Sequence, residues 1–285
     1  MSTIDTQFTI ALIYDFDGTL AAGNMQEYDF IPAVGKSNVE FWDASNRLAE
    51  EQDADQILTY MALMIREAQA KGLSLRREAF QESGKKITLY PGVEEWFDRI
   101  NAYGEKKGVE IRHYIISCGL KSMIEGCSIA HHFHNIFACD YLYDEEGNVL
   151  WPREAIDYTT KTQYLYRINK GVEDIGDDKK LNMYMARDER VVPFQHMIYF
   201  GDGLTDVPSM KLIRSRGGYA VGVYRKPSDA EYLVNEQRVD LYLKGDYTAG
   251  SKMERSVKAI INKIAAQLRF DELASKSREV VTDND

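Results

Sequence analysis

The chain lacks several features that would each direct its function. Basic residues are not in excess, because 35 Lys and Arg are outnumbered by 45 Asp and Glu, for a formal net charge of -10. No apolar run approaches the roughly 20 residues that span a bilayer. Without a general positive field to attract nucleic acid or an anionic membrane, we expect neither as a partner. The oligomeric state is left open.

Cysteine is scarce, and a signal for export is missing. The three cysteines, Cys118, Cys127 and Cys139, lack the spacing of a metal site and are typical of small buried thiols in a reducing compartment. The first residues, Met1 to Asp5, have neither a basic segment nor a long apolar one. We therefore expect a cytoplasmic protein.

What is present is a globular composition with enough apolar material for a large core. Of the 285 residues, 44% are hydrophobic and 28% are charged. Short, nearly continuous apolar runs are typical of strands that are buried on both faces. Such runs occur at 8–14, 111–116, 197–200 and 219–223, and helical patterns occur at 93–107, 161–169 and 251–268. This alternation predicts an α/β fold with a doubly wound (Rossmann-like) parallel sheet.

Residues 20–90 interrupt that alternation. They contain no strand pattern, and their helical patterns lie at 38–51, 54–71 and 75–83. Apolar residues of the middle segment recur at spacings of three and four, which is typical of an amphipathic helix. We therefore predict a small helical domain at 21–90, inserted after the first strand into a core domain made of 1–20 and 91–285.

Three further segments have local signatures. Residues 136–150 predict a β-hairpin, because two strand-like stretches flank a tip rich in turn-forming residues. Residues 171–190 are charged and polar, which indicates a surface loop. The polar stretch at 275–285 predicts a frayed end.

Two aspartates directly follow the first predicted strand. Asp15 and Asp17 leave the strand end on the same side, at the edge where open α/β sheets bind ligands. Two neighbouring carboxylates repel each other, so the pair implies a cation or a shared proton. Gly18 allows a tight turn close to a ligand. A plain Asp-Gly turn is the competing interpretation.

A second acidic segment follows the strand predicted at 197–200. It runs from Gly201 to Asp206 and includes Asp202. Carboxylates from two strand ends form a set of oxygen ligands that suits a hard divalent cation. An acidic loop that caps a helix is the competing interpretation, and it accounts for Asp206 but not for the whole set.

A serine and a lysine complete the set of candidate residues. Ser117 follows the run at 111–116, where its hydroxyl and backbone N–H groups would hold a phosphate oxygen, with a plain helix cap as the competing interpretation. The ammonium of Lys161 would neutralise an acidic nucleophile and a phosphate together. Lys170 is a second candidate of lower rank, and solvated surface is the competing interpretation for both lysines.

The order Asp-x-Asp, Ser, Lys, Gly-Asp-x-x-x-Asp resembles the haloacid dehalogenase (HAD) superfamily of phosphohydrolases, in its phosphoserine-phosphatase-like branch. The motif residues span 15–206. The helical segment at 20–90 resembles the cap that this superfamily places after its first motif, and the hairpin at 136–150 resembles the same branch. The resemblance implies a phosphomonoesterase that depends on Mg²⁺ and acts on a small phosphorylated metabolite through an aspartyl-phosphate.

The resemblance also implies a role for each motif residue. Asp15 would be the nucleophile, Asp17 the general acid and base with its backbone carbonyl on the metal, and Thr19 would hold the Asp17 side chain. The implied phosphate-binding set is Thr19, Gly18, Ser117, Gly119 and Lys161. The implied Mg²⁺ set is Asp15, Asp17, Asp202 and Asp206, with Asp206 binding directly or through water.

One position departs from that branch. Its phosphoserine phosphatases carry a glutamate that receives the ammonium of the substrate, and the aligned position here is Asn24, with Glu27 three residues later. We therefore do not predict phosphoserine as the substrate. Three arginines of the helical segment are candidates for binding a substrate carboxylate, with solvated surface as the competing interpretation: Arg47, Arg66 and Arg76.

Other activities stay open at this stage. A phosphotransferase, a phosphomutase or a phosphonatase would use the same motifs. A 2-haloacid dehalogenase is disfavoured, because it needs neither the second aspartate nor magnesium and this chain has the full acidic set. A receiver that accepts a phosphoryl group without turnover is disfavoured, because receivers have no helical insert. A catalytically silent scaffold is disfavoured because every catalytic position is filled here. The clustered His131, His132 and His134 lack the ligand spacing of a zinc site.

Overall fold

The computed structural model describes residues 8–282, with side chains as far as Ser277. The described residues form seven strands: β1 (Phe8–Tyr14), β2 (Val109–Leu120), β3 (Phe133–Tyr143), β4 (Val149–Glu154), β5 (Met197–Gly201), β6 (Tyr219–Tyr224) and β7 (Leu241–Lys244). They make one sheet in the order β4-β3-β2-β1-β5-β6-β7. Every neighbouring pair is parallel except β3 and β4. The predicted parallel α/β sheet is confirmed.

The middle of the sheet explains the apolar runs. β1 pairs in parallel with β2 on one side and with β5 on the other. Its residues from Thr9 to Tyr14 are all buried. A strand covered on both faces has no position that favours a polar side chain, so its sequence is continuously apolar. The edge strand β7 is only partly buried and has no such run, which is why the sequence did not predict it.

The described part of the chain also contains the following α-helices: α1 (Phe30–Ala33), α2 (Asn38–Gln52), α3 (Gln56–Lys71), α4 (Arg77–Gly84), α5 (Trp96–Glu105), α6 (Lys121–Gly126), α7 (Lys161–Lys170), α8 (Asp178–Asn182), α9 (Val207–Ser215), α10 (Tyr232–Asn235) and α11 (Lys252–Thr282). α5 packs on β2, and α9 packs on β5 and β6. No helix within residues 8–282 combines the length and apolarity that a bilayer span needs.

Residues 21–90, here called the helical insert, contain the helices α1 to α4 and lie between β1 and β2 in sequence. Local signals set the ends of two of these helices. Ser37 and Glu40 form a capping box at the start of α2. Asp55 caps the start of α3, and Gly72 follows its last residue in the left-handed region. The predicted amphipathic stripe of α3 is confirmed for Met61, Met64 and Ala68, which are buried, but not for Leu58, which is 43% exposed. The division into domains at 21–90 stays a prediction.

Helix α4 fixes the insert onto the sheet domain. A Cβ on Gly84 would lie 2.0 Å from the backbone oxygen of Met123, and one on Gly126 would lie 2.0 Å from that of Gln81. The backbones of α4 and α6 therefore touch directly. Arg77 of α4 adds ion pairs to Glu125 and Asp140 of the sheet domain, at 3.1 and 3.4 Å.

Local predictions outside the insert had mixed outcomes. The hairpin at 136–150 is confirmed as β3 and β4. The predicted loop at 171–190 contains the short helix α8, which Asp177 caps through its side chain. The predicted frayed end was wrong as far as Thr282, because α11 continues to that residue. Residues 1–7, on which the export argument depends, and 283–285 lie outside the described residues.

Candidate active site

The carboxyl ends of β1, β2 and β5 meet at one rim of the sheet. Because β1 lies between the other two, the residues after each strand come together there. A cavity of about 630 Å³ opens at this rim. Its walls include Asp15, Asp17, Ser117 and Asp202 from the strand ends, together with side chains of the helical insert. The structure thus brings together candidate residues that are far apart in sequence.

Lys161 lies behind the cavity and joins two acids. Its side chain is fully buried, and its Nζ lies 3.1 Å from Asp15 Oδ1 and 2.8 Å from Asp206 Oδ1. Burial alone would lower the pKa of Lys161, but the two carboxylates outweigh it and raise the pKa well above its usual value. Lys161 therefore stays charged next to Asp15, and the solvated-surface interpretation is wrong.

Asp206 uses both of its carboxylate oxygens inside the protein. Oδ1 accepts hydrogen bonds from Lys161 Nζ and from the Tyr199 hydroxyl, at 2.8 and 2.7 Å. Oδ2 accepts from the backbone N–H groups of Asp202 and Gly203, at 3.1 and 3.2 Å. A carboxylate accepts about four hydrogen bonds, so this group is saturated. It fixes both the lysine and the loop that carries Asp202.

Tyr199 carries no recognisable sequence signal, because it lies within an apolar strand. In the run at 197–200 a tyrosine is indistinguishable from a core aromatic. Its side chain is indeed fully buried, and only the direction of its hydroxyl towards Asp206 shows a second role.

Gly18 allows the first and second acidic segments to touch. Its φ of +71° lies in the left-handed region, and a Cβ there would lie 2.0 Å from Asp202 Oδ2. A side chain at this position would therefore strain the backbone and displace the acid. The tight turn at Gly18 is observed and is what admits Asp202, whereas a position of Gly18 next to a ligand stays a prediction.

Asp17 extends into the cavity towards the insert. Its Oδ1 accepts a hydrogen bond of 2.9 Å from the backbone N–H of Met25. Gly119 lies on its other side, where a Cβ would be 3.1 Å from Asp17 Oδ2. The turn Met25–Glu27, a short 3-10 helix, is thereby attached directly to this carboxylate.

Burial and mutual repulsion disfavour the charged forms of these acids. Burial raises the pKa of Asp15 to about 6, with Lys161 opposing the rise and Asp206 adding to it. The pKa of Asp17 is raised well above its usual value, chiefly by burial and secondly by the charge of Asp15. The pKa of Asp202 is also raised well above its usual value, chiefly by burial and secondly by the charges of Asp206 and Asp15. One lysine does not balance this cluster of acids.

The cluster fits a divalent cation. One carboxylate oxygen from each of Asp15, Asp202 and Asp206 lies within 4.8 Å of the others. All are hard oxygen donors of the kind that Mg²⁺ prefers. A bound cation would compensate the repulsion that raises these pKa values.

Ser117 faces the cavity at the end of β2. Its side chain is almost fully buried, and its Oγ accepts a hydrogen bond of 3.1 Å from the backbone N–H of Gly119. The strand pairing with β3 is irregular between Ser117 and Leu120, and this bend turns Gly119 towards the cavity as well. The helix-cap interpretation is wrong, because Leu120 occupies the cap position of α6.

The structure does not bring Thr19 and Asp17 together as the resemblance implied. Thr19 is fully buried, and its Oγ1 has no hydrogen-bond partner within residues 8–277. Its backbone carbonyl instead accepts a hydrogen bond of 2.9 Å from the Tyr247 hydroxyl. Thr19 therefore belongs to the packing beneath the site.

The helical insert forms the opposite wall. Asn24 and Glu27 both line the cavity, and Glu27 Oε1 accepts hydrogen bonds from Asn24 Nδ2 at 2.6 Å and Trp42 Nε1 at 2.9 Å. Gln26 and Tyr60 line the same wall. The direction of these side chains could not be predicted from the sequence, because it depends on contacts with residues far along the chain, such as that between Glu27 and Trp42.

The remaining basic candidates lie elsewhere. Lys170 donates hydrogen bonds to the backbone oxygens of Leu181 and Met183, so it holds the segment around α8. Within the described residues, the cavity wall includes none of the three arginines proposed for a substrate carboxylate: Arg47, Arg66 and Arg76.

Comparison with known proteins gives a family match and several structural matches. A family model described as haloacid dehalogenase-like hydrolase matches residues 12–211. An uncharacterized protein of Borreliella burgdorferi is 28% identical over 276 residues, which cover 86% of this chain and 93% of that protein. The family match contains all four motif segments.

Solved structures with a similar fold include phosphatases. A phospho-aspartyl intermediate analogue of phosphoserine phosphatase has a TM-score of 0.53 at 15% identity, covering 89% of this chain and 99% of that one. A probable phosphoserine phosphatase from Vibrio cholerae has a TM-score of 0.56 at 14% identity, covering 93% and 69% respectively. At these identities the likeness shows the fold.

Proposed function

The chain belongs to the haloacid dehalogenase-like hydrolase family, and from this premise we propose that it is a magnesium-dependent phosphomonoesterase. Its substrate would be a small phosphorylated metabolite, and Asp15 would form an aspartyl-phosphate intermediate. The observation that carries the proposal is the position of Asp15, which lines the cavity while its Oδ1 lies 3.1 Å from the buried ammonium of Lys161.

The carboxylate of Asp15 needs help to attack an anionic phosphate. Lys161 reduces the repulsion between the two, and it is held for this task by Asp206. A covalent intermediate divides one difficult displacement into two easier ones. The Ser117 hydroxyl lies at the cavity wall, where it is suited to donate a hydrogen bond to an oxygen of the phosphoryl group during both steps.

Mg²⁺ would be held by Asp15, Asp202 and the backbone carbonyl of Asp17. Asp206 would act on the ion site indirectly, because both of its oxygens already accept hydrogen bonds. When bound, the ion supplies positive charge against the negative charge of the phosphoryl oxygens.

Asp17 would move the protons. In the first step it donates a proton to the oxygen of the leaving alcohol, and in the second it takes one from the water that attacks the aspartyl-phosphate. Both tasks need a carboxyl group at the cavity wall next to Asp15, which is where Met25 N–H holds Asp17. General acid and base assistance of this kind contributes about 10²- to 10⁴-fold in rate.

The helical insert would act as a cap. Its side chains line one wall of the cavity and Asp17 is attached to its first turn, so a bound substrate would be enclosed between the two regions. Such enclosure excludes bulk water from the reacting groups.

Metal dependence tests the proposal directly. We expect the full-length protein to hydrolyse p-nitrophenyl phosphate with Mg²⁺, to lose this activity in EDTA, and to regain it when Mg²⁺ is added in excess. A beryllium fluoride mimic should form on Asp15 and block turnover. Hydrolysis that persists in EDTA would contradict the proposed role of the metal. If no hydrolysis is observed with or without Mg²⁺, the proposed phosphatase activity is wrong.

A further inference from the structure

The end of β2 bends directly after Ser117, and we call residues 118–120 the β2 bend. The pairing of β2 with β3 passes from Ser117 to Leu120 and skips Cys118 and Gly119. On the other side, β1 pairs with β2 as far as Ile115. Regular strand pairing therefore does not fix this bend, and its buried backbone N–H and C=O groups need other partners.

Two residues of the helical insert supply such partners. The hydroxyl of Tyr60, on α3, donates a hydrogen bond of 2.6 Å to the backbone oxygen of Cys118. The backbone N–H of Leu120 donates to Sδ of Met25, at 3.1 Å. The β2 bend belongs to the sheet domain, yet the insert holds it at two positions.

Close packing accompanies these hydrogen bonds. A Cβ on Gly119 would lie 2.0 Å from Met25 Cε, so the methionine occupies the space that a side chain at position 119 would need. Met25 is 1% exposed and Tyr60 is 4% exposed, so both contacts are shielded from water. Hydrogen bonds that are shielded in this way are electrostatically stronger than exposed ones.

One peptide group connects Tyr60 to the hydroxyl of Ser117. The carbonyl of Cys118 and the N–H of Gly119 belong to the same planar peptide, so they rotate together. Tyr60 binds the oxygen of this peptide, and its N–H donates a hydrogen bond of 3.1 Å to Ser117 Oγ. Because Oγ accepts that bond, its own proton is directed to another acceptor, and Ser117 lines the cavity.

We infer that Tyr60 is a positioning residue for Ser117, and that contact of α3 with the β2 bend prepares the serine hydroxyl to bind a phosphoryl oxygen. Without the tyrosine hydroxyl, the peptide between Cys118 and Gly119 is free to rotate, and the direction of Ser117 Oγ is no longer fixed. The inference rests on the proposed function for its ligand, a phosphoryl group at Ser117.

A double-mutant cycle tests this inference with inorganic phosphate as the probe and without relying on turnover. Calorimetry on the full-length protein with Mg²⁺ would measure phosphate binding to the parent, Tyr60→Phe, Ser117→Ala and the double variant. We expect Ser117→Ala to weaken binding by about tenfold or more, and Tyr60→Phe by about three- to tenfold. The double variant should bind within about twofold of Ser117→Ala, because the tyrosine acts through the serine hydroxyl.

Tyr141→Phe is the matched control. The hydroxyl of Tyr141, on β3, donates a buried hydrogen bond of 2.8 Å to the backbone oxygen of Met61, the residue of α3 that follows Tyr60. It thus also joins the insert to the sheet domain, but its acceptor lies outside the β2 bend. We expect both phenylalanine variants to lower the free energy of unfolding in urea by similar amounts. Tyr141→Phe should keep the phosphate affinity of the parent to within about twofold.

The outcomes separate the inference from the proposed function. If Tyr60→Phe weakens phosphate binding equally with and without the Ser117 hydroxyl, the inference is overturned even where p-nitrophenyl phosphate is hydrolysed. An equal loss of phosphate affinity in Tyr141→Phe, or an unchanged affinity in Ser117→Ala, would also overturn it. Coupling of the two residues in a protein that hydrolyses no phosphomonoester would support the inference and reject the phosphatase. A parent protein that does not bind phosphate would overturn both.

Discussion

At the strand ends, each acid of the cavity is connected to at least one other part of the site, whereas the insert wall is connected sparsely. Asp206 alone receives hydrogen bonds from Lys161, Tyr199 and two backbone N–H groups. On the insert wall, Glu27 has two donors and Gln26 Oε1 has none within residues 8–277. Hydrogen bonds within the protein fix the side chains at the strand ends in one arrangement, so this region is suited to a single reaction. The side chains of the insert wall have fewer such bonds, so this wall is suited to recognition of a group that varies between substrates.

This contrast predicts different responses to substitution. Changes at the strand ends should lower kcat, because they alter the groups that we propose act on the phosphoryl group itself. Changes on the insert wall should mainly raise KM, because they alter contacts that are similar in the ground state and the transition state.

Asp15→Asn should have the largest effect. It removes the proposed nucleophile while keeping the shape of the side chain, so we expect kcat with p-nitrophenyl phosphate to fall by at least about 10³-fold. Steady-state kinetics would measure this, and circular dichroism should show an unchanged fold. Asp43→Asn, at an exposed position on α2, is the matched control and should be active. A rate for Asp15→Asn near that of the parent would reject the nucleophile.

Lys161→Met should lower both activity and stability. Removing this buried ammonium leaves Asp15 and Asp206 facing each other without compensation. Breaking a buried ion pair in this way costs about 3–5 kcal/mol, and we expect kcat to fall by about 10²-fold or more. Urea unfolding and kinetics would measure the two effects. A stable, active variant would show that the acids do not depend on the lysine.

Gly18→Ala should separate steric contact from backbone strain. Gly18 and Gly72 both have positive φ values, but a Cβ on Gly18 would overlap Asp202, whereas one on Gly72 would meet no atom within 4 Å. We expect both alanine variants to lose about 1 kcal/mol of stability. Only Gly18→Ala should also lose activity, by about tenfold or more. Equal activity in the two variants would mean that Asp202 can move without consequence.

Trp42→Phe should affect the insert wall alone. It keeps an aromatic ring but removes the indole N–H that donates to Glu27 Oε1. We expect KM for a phosphomonoester that is a substrate of the parent protein to rise by about three- to tenfold with kcat nearly unchanged. A fall in kcat with constant KM would instead connect this wall to the chemical step and remove the contrast between the two regions.

The smallest effect concerns the sheet beneath the strand ends. Burial, and then the neighbouring His132, lower the pKa of His113 to about 3. Because the ring is protonated more easily in the unfolded chain, its contribution to stability is complete above about pH 6.5 and is lost as the pH falls towards 3. His113→Gln should therefore reduce the dependence of stability on pH in this window, by up to about 1.4 kcal/mol per pH unit.

Two side chains hold the ring of His113. His113 itself contacts Tyr14 and Asn101, with its Nδ1 3.1 Å from the Tyr14 hydroxyl and its Nε2 3.0 Å from Asn101 Oδ1. Denaturant unfolding between pH 4 and 8 would measure the slopes, and equal slopes for the parent and His113→Gln would place the titration elsewhere.

The strands and the acids that follow them could be predicted because both are local signals. β1 was predicted with its observed limits, and Asp15 and Asp17 had to lie at its carboxyl end. The edge strand β7 and the helix α8 could not be predicted, since four or five partly exposed residues leave no clear period. The proposed contact between Thr19 and Asp17 came from a resemblance, and packing decided against it.

The amino-acid sequence by itself determined which residues stand at the ends of buried strands, because apolar runs and glycine turns act over a few neighbouring positions. Only the tertiary structure decided that Lys161 reaches Asp206, 45 positions away in sequence, and that Glu27 rather than an arginine of the insert faces the cavity. Those contacts depend on how helices pack on the sheet and on one another. Side-chain direction across such an interface follows from the combined burial of many residues, which no short segment encodes.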